Sequence, residues 1–79
     1  MKAEHNVIRK KLCGMGKPEA KRILQTYLPD REYYAIYLCD LEQKSLSDIG
    51  DDDLHCSESM VKKIRKSGFE KLTASWNFD

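Results

Sequence analysis

Residues 45–72 read SLSDIGDDDLHCSESMVKKIRKSGFEKL and decide how the 79-residue chain is interpreted. The pattern predicts two helices joined by a tight turn. Ser45 can cap the first helix, with Asp48 three residues on, and Ser57 can cap the second. A short helix followed by a capped, basic helix is the arrangement with which helix-turn-helix proteins enter the DNA major groove. These residues therefore predict a DNA-binding helix-turn-helix.

The second helix, over about residues 57–72, combines an apolar stripe with a basic outer face. Apolar or small residues recur at steps of three or four, as the buried side of a helix requires. The stripe consists of Met60 or Val61, Ile64, Gly68 and Leu72. The outward residues are Lys62, Lys63, Arg65, Lys66 and Lys71. The alternative interpretation is an ordinary helical hairpin whose lysines are merely solvated.

Length and composition favour one folded domain over residues 1–79. Hydrophobic residues make up 41% of the chain and charged residues 34%, as in soluble domains. A chain this short has a modest core. No apolar run is long enough to cross a bilayer, and residues 1–16 lack the apolar segment of a secretory signal. We therefore expect a cytoplasmic protein with no membrane partner.

Three more helices are predicted before this pair, over residues 3–13, about 18–28 and about 29–43. No segment alternates as a half-buried strand does. The fold class is therefore all-α, a compact bundle of about five helices. Residues 1–43 form the supporting helices and residues 45–72 the helix-turn-helix. The predicted buried positions are Ala3, Val7, Ile8, Leu12, Ala20, Ile23, Leu24, Tyr27, Leu28, Tyr33, Tyr34, Ile36, Tyr37, Leu38 and Leu41.

The net charge of +1 hides a segregated charge pattern. Residues 1–22 carry seven Lys or Arg and two Glu, whereas residues 23–57 carry two basic and eight acidic residues. Residues 58–79 are again basic, with five against three. An acidic middle repels nucleic acid from its own face and restricts how the chain can bind it. The acidic patch is either solvated or a surface for a basic protein; it contains Asp48, Asp51, Asp52 and Asp53.

The sequence offers little for catalysis or for a bound metal. Cys13, Cys39 and Cys56 are odd in number and form no CxxC pair, so free and mostly buried thiols are expected. A zinc site from Cys39, His55 and Cys56 would lack a fourth ligand. The aspartates lack the glycine and closing glutamate of a calcium loop. We predict a protein that is not an enzyme and that has no cofactor or metal.

Several fragments occur in an informative order: LPDRE at residues 28–32, SLSDIG at 45–50, LHCSESMV at 54–61 and KSGFEKL at 66–72. In order and spacing they resemble domain 4 of bacterial sigma factors, a DNA-binding domain. The chain has three residues between Gly50 and Leu54, where that family has two. The first helix must therefore be lengthened or distorted at its end. His55 replaces the family's usual turn glycine, so the turn is wider or uses a left-handed His.

The resemblance implies sequence-specific binding of double-stranded DNA. The chain is too short for a complete sigma factor, so it implies a stand-alone transcriptional regulator of the phage or mobile-element type. By position, the residues that match the family's base-reading sites are Glu58, Ser59, Lys62, Lys63 and Lys66.

Other residues are candidates for the DNA backbone. Ser57 caps the recognition helix, whose free N–H groups can meet a phosphate. Lys44 and Ser45 are placed to reach the backbone across the groove. Arg65 and Lys71 contact either a phosphate or nothing. Glu58 either accepts a hydrogen bond from cytosine or only interacts favourably with the helix dipole. A second basic strip, either phosphate-contacting or solvated, comprises Arg9, Lys10, Lys11, Lys17, Lys21 and Arg22.

Two other functions stay open. One is a protein-interaction module that binds RNA polymerase or another protein without reading DNA. The other is a DNA-binding accessory factor in recombination or packaging. A homodimer is a further expectation, and Trp76 and Phe78 either fold back onto the core or anchor a partner.

Overall fold

The computed structural model describes residues 3–76, with side chains from His5 onward. Its helices are α1 (Ala3–Gly14), α2 (Lys17–Tyr27), α3 (Asp30–Ile36), α4 (Leu46–Asp48) and α5 (Glu58–Ser75). Helix α3 continues as a π-helical turn over Tyr37–Leu41, and α4 continues likewise over Ile49–Leu54. Residues 3–76 contain no strand. The predicted all-α bundle of about five helices is confirmed.

Both predicted serine caps are present. The Ser45 hydroxyl accepts a hydrogen bond from the backbone N–H of Asp48 at 3.1 Å. The Ser57 hydroxyl accepts one from the backbone N–H of Met60 at 3.2 Å. Each cap satisfies an N–H that the first turn of a helix leaves without a partner. These two bonds fix where α4 and α5 begin.

The end of α4 is distorted, as the extra residue before Leu54 predicts. A π-helical turn has its hydrogen bonds five residues apart and therefore takes up one residue more than an α-helical turn. His55 then reverses the chain with φ 54° and ψ 49°, so the left-handed alternative is confirmed. The backbone N–H groups of His55 and Cys56 both donate to the carbonyl of Gly50. These two bonds close the end of the helix.

The core has two parts that share α3 and α5. The larger part joins α1, α2 and α3 to the C-terminal half of α5, where Phe69 and Leu72 are fully buried. The smaller part lies inside the helix-turn-helix and joins Ile49 and Leu54 to Val61. Helix α5 is therefore held by the helix-turn-helix at one end and by the supporting helices at the other.

The rotation of α1 differs from the prediction. His5 lies inside with Ile8 and Leu12, and its ring stacks on Phe69 with 5.5 Å between centroids. Because His5, Ile8 and Leu12 occupy the inward side of α1, Val7 lies on the outer side and is 47% exposed. Cys13 is exposed as well, so the expectation of mostly buried thiols is wrong for it, and Cys39 and Cys56 are only partly buried.

Other predicted core positions also lie at the surface. Tyr27 and Tyr34 are exposed because α2 and α3 bury narrower stripes than predicted, with Leu24 and Tyr33 pointing inward. Of the two candidates in α5, Val61 is buried and Met60 is exposed.

Helix α5 ends later than predicted. Residues 73–75 continue it beyond the predicted end near residue 72. Trp76 packs against the larger core, in line with the fold-back alternative. Phe78 and the side chain of Ala3 lie outside the described residues.

Gly50 is required by the tight turn after α4. A Cβ at Gly50 would lie 2.4 Å from the backbone oxygen of Cys56, so the chain itself must shift. We expect Gly50→Ala to lower the free energy of unfolding by roughly 2 kcal/mol, the cost of overpacking. Gly14→Ala is the matched control, because its Cβ would meet nothing within 4 Å. It should stabilise by about 0.5 kcal/mol. Urea denaturation measures both, and equal effects would contradict this account of the turn.

Candidate nucleic-acid interface

The inward side of α5 determines which side chains it can present to a ligand. Val61, Phe69 and Leu72 are fully buried. At Gly68 the helix passes so close to α3 that a Cβ would lie 2.7 Å from the Cδ1 atom of Ile36. This contact prevents α5 from turning about its axis. The opposite side of the helix therefore faces solvent.

That solvent-facing side carries most of the predicted base-reading residues. Ser59, Lys62, Lys63 and Lys66 are all exposed. Their spacing of three, four and seven residues places them on one face. Glu58 is exposed on the neighbouring ridge, four residues before Lys62. We call Ser59, Lys62, Lys63 and Lys66 the basic face of α5.

The lysines of this face are not paired with carboxylates of the described residues. Within residues 3–76, Lys62, Lys63 and Lys66 form no ion pair. Glu58 lies four residues before Lys62 and Glu70 four residues after Lys66, but among the described residues neither forms an ion pair with this face. The three lysines therefore repel each other, and an anionic ligand relieves that repulsion. The basic face therefore has the charge that binding of a polyanion requires.

Arg65 lies on a different side of the helix and has an internal partner. Its Nε and Nη2 atoms donate to the two carboxylate oxygens of Asp40 at 2.9 and 2.6 Å. Hydrogen bonding to Asp40 raises the pKa of Arg65 above the usual guanidinium value. Arg9 donates to the same carboxylate at 2.9 Å, and the Asp40 side chain is only 2% exposed. The guanidinium of Arg65 therefore joins helices instead of extending the basic face.

Two more residues that were predicted to contact the DNA backbone form ion pairs within the protein. Lys71 donates to Glu32 at 2.7 Å. Lys44 donates to Asp53 at 2.6 Å, and this hydrogen bond raises the pKa of Lys44. Lys44 is also 3.7 Å from Asp52, so it partly neutralises the acidic patch. Ser45 and Ser57 are exposed at their helix starts, with their hydroxyls in the caps.

Arg31 is a candidate that the sequence interpretation missed. It is exposed in the first turn of α3 and forms no ion pair with the described residues. It lines a shallow depression of about 260 Å³, together with Glu32, Lys63, Ile64 and Ser67. The α3–α5 contact thus brings a fourth unpaired cation beside the three lysines of the basic face. Arg31 belongs to the LPDRE fragment, but that fragment does not predict its proximity to Lys63, which arises only from tertiary packing.

The second basic strip divides into paired and unpaired residues. Arg9 bonds Asp40, Lys17 bonds Glu42 at 3.2 Å, and Arg22 bonds Glu19. The carboxylate of Glu42 has a lowered pKa because Lys17 and then Tyr37 donate hydrogen bonds to it. The strip residues that form no ion pair in the described part are Lys10, Lys11 and Lys21.

Lys10 and Lys11 also border an apolar trough on the outer side of α1. The trough has a volume of about 530 Å³ and is completed by Val7, Gly14 and Met15. The supporting helices therefore present a second surface that combines exposed apolar and basic groups.

Among the described residues, no group of three or more His, Cys, Asp or Glu side chains could hold a metal ion. Within the same range, no helix is long and apolar enough to cross a membrane. No family model, curated protein or solved structure matches this chain.

Arg65 and Lys66 are adjacent cations whose removal should affect the free energy of unfolding very differently. Arg65→Ala leaves the buried Asp40 with Arg9 alone and removes the cation 5.0 Å above the Phe69 ring. We expect it to lower the free energy of unfolding by about 3 kcal/mol. Lys66→Ala removes an exposed, unpaired side chain and should change it by less than about 0.5 kcal/mol. Chemical denaturation followed by circular dichroism compares them. Equal losses would show that Arg65 does not hold α5.

Proposed function

We propose that this protein binds double-stranded DNA sequence-specifically, with the N-terminal half of α5 in the major groove, and acts as a transcriptional regulator. The observation that carries the proposal is the basic face of α5. Its lysines are exposed and unpaired, whereas Arg65 and Lys71 on the same helix are paired with the buried carboxylates of Asp40 and Glu32. A fold that neutralises two cations and leaves three adjacent ones free is well suited to an external polyanion.

The geometry around α5 is compatible with entry into the groove. Ser57 begins the helix, so the first turn and its free N–H groups are exposed, as helix-turn-helix proteins require. The π-helical turn of α4 accommodates the residue by which the chain departs from the sigma domain 4 pattern. The resemblance to that family therefore remains part of the proposal.

In this proposal the side chains have distinct roles. Lys62, Lys63 and Lys66 contact base edges or flanking phosphates, and a lysine that reaches guanine donates to O6 and N7. Ser59 adds a hydroxyl on the same face, and Arg31 holds a phosphate at the edge of the groove. Glu58 accepts from cytosine N4 or stabilises the helix start.

Charge reversal of Lys62 and Lys63 tests the proposal. The double variant Lys62→Glu and Lys63→Glu should abolish sequence-specific binding, since two attractive contacts become repulsive. Both residues are exposed, so melting should remain close to that of the wild type. Fluorescence anisotropy with a duplex selected from a random pool measures the affinity.

The matched control reverses Lys10 and Lys11 on α1, which changes the net charge by the same amount. This control should weaken binding through general electrostatics only and leave the preferred sequence unchanged. Normal affinity in the Lys62 and Lys63 variant, or a larger loss in the control, would contradict binding through α5.

A second candidate is a protein-interaction module, with RNA polymerase as one candidate partner. The trough on α1 favours it, because exposed apolar groups such as Val7 mark interaction surfaces more than DNA-binding ones. A pull-down with purified RNA polymerase that depends on Val7, while no duplex is bound, would favour this candidate. An accessory role in recombination or packaging would use the same DNA-binding face.

A further inference from the structure

Met60 is a large apolar side chain exposed at the start of α5. It is 44% exposed, whereas the adjacent Val61 is fully buried in the smaller core. The backbone N–H of Met60 donates to the Ser57 hydroxyl, so the first turn is closed at this residue. Since Val61 is fixed inward and the turn is capped, the Met60 side chain is held outward.

The position of Met60 relative to the lysines is informative. It precedes Lys63 by three residues and therefore stands on the neighbouring ridge of the helix, next to the basic face. The other large hydrophobic side chains that the described structure exposes are Val7, Tyr27 and Tyr34, none of which is in α4 or α5. Met60 is therefore an apolar group on a surface that is otherwise polar and cationic.

The DNA major groove has one apolar feature that such a side chain can recognise. The C5 methyl of thymine projects into the groove and is contacted by apolar side chains. Methionine is unbranched and polarisable, so it adapts to a small apolar partner. Residues in the first turns of a recognition helix are those that meet base edges.

We infer that Met60 is a specificity-determining residue that contacts a thymine methyl group, so the target site contains a thymine opposite the first turn of α5. This inference rests on the proposed DNA binding and assigns it a base preference. A second copy of the chain is a poor occupant of this surface, because it would bring Lys62, Lys63 and Lys66 against the same three lysines.

The test removes the methyl group without changing base pairing. Each thymine of a duplex selected by the wild-type protein is replaced in turn by deoxyuridine, and affinities are measured by anisotropy. At one position, loss of the methyl should weaken wild-type binding about fourfold, the value of one buried carbon group. Met60→Ala should bind more weakly but lose sensitivity at that position. Val7→Ala, which shortens an exposed apolar side chain on α1, should keep the wild-type sensitivity to loss of that methyl group.

The possible outcomes separate this inference from the proposed function. Wild-type binding that is specific yet insensitive to every uracil substitution would overturn the role of Met60 and leave DNA binding standing. The same holds if Met60→Ala keeps the full sensitivity. Failure of the wild type to bind any duplex would overturn the proposed function and this inference with it. Circular dichroism of Met60→Ala should match the wild type, because the side chain is exposed.

Discussion

The buried carboxylate of Asp40 connects two of the supporting helices to the helix that we propose reads DNA. Asp40, near the end of the π-helical extension of α3, accepts hydrogen bonds from Arg9 on α1 and from Arg65 on α5. A charge that is 2% exposed is tolerated only with partners of opposite charge in good geometry. Because Arg65 must face Asp40, the rotation of α5 is set, and the lysines beside it must face solvent. The ion pairs of Asp40 with Arg9 and Arg65 thus determine which way the basic face points.

Close backbone contacts hold the same arrangement. Gly68 lets α5 approach α3, and Gly50 lets the turn after α4 fold back onto that helix. The π-helical turn over Ile49–Leu54 ends with Leu54 in the smaller core. The two halves of α5 are therefore anchored in different parts of the core, and its first turns extend from a rigid base. A side chain can distinguish one nucleobase edge from another only if the helix that carries it is held firmly in place.

Local signals in the sequence were sufficient for the helices and their caps. Ser45 and Ser57 cap where predicted, and the end of α4 is distorted into a π-helical turn, as expected. Contacts between distant residues were not predictable. The pairing of Arg65 with Asp40 and the proximity of Arg31 to Lys63 depend on how α3 crosses α5. The stacking of His5 on Phe69 likewise sets the rotation of α1, which periodicity alone placed differently.

The central claim is that the unpaired lysines of α5 form a sequence-specific DNA-binding surface. Anisotropy with a pool of random duplex DNA at two salt concentrations, followed by sequencing of the bound fraction, tests it most directly. The account predicts an enriched motif and an affinity that falls steeply as salt rises, because bound lysines release counterions from the phosphates. The symmetry of the motif would also distinguish a monomer from a dimer. Absence of binding at low salt, or binding with no enriched motif, would contradict the claim.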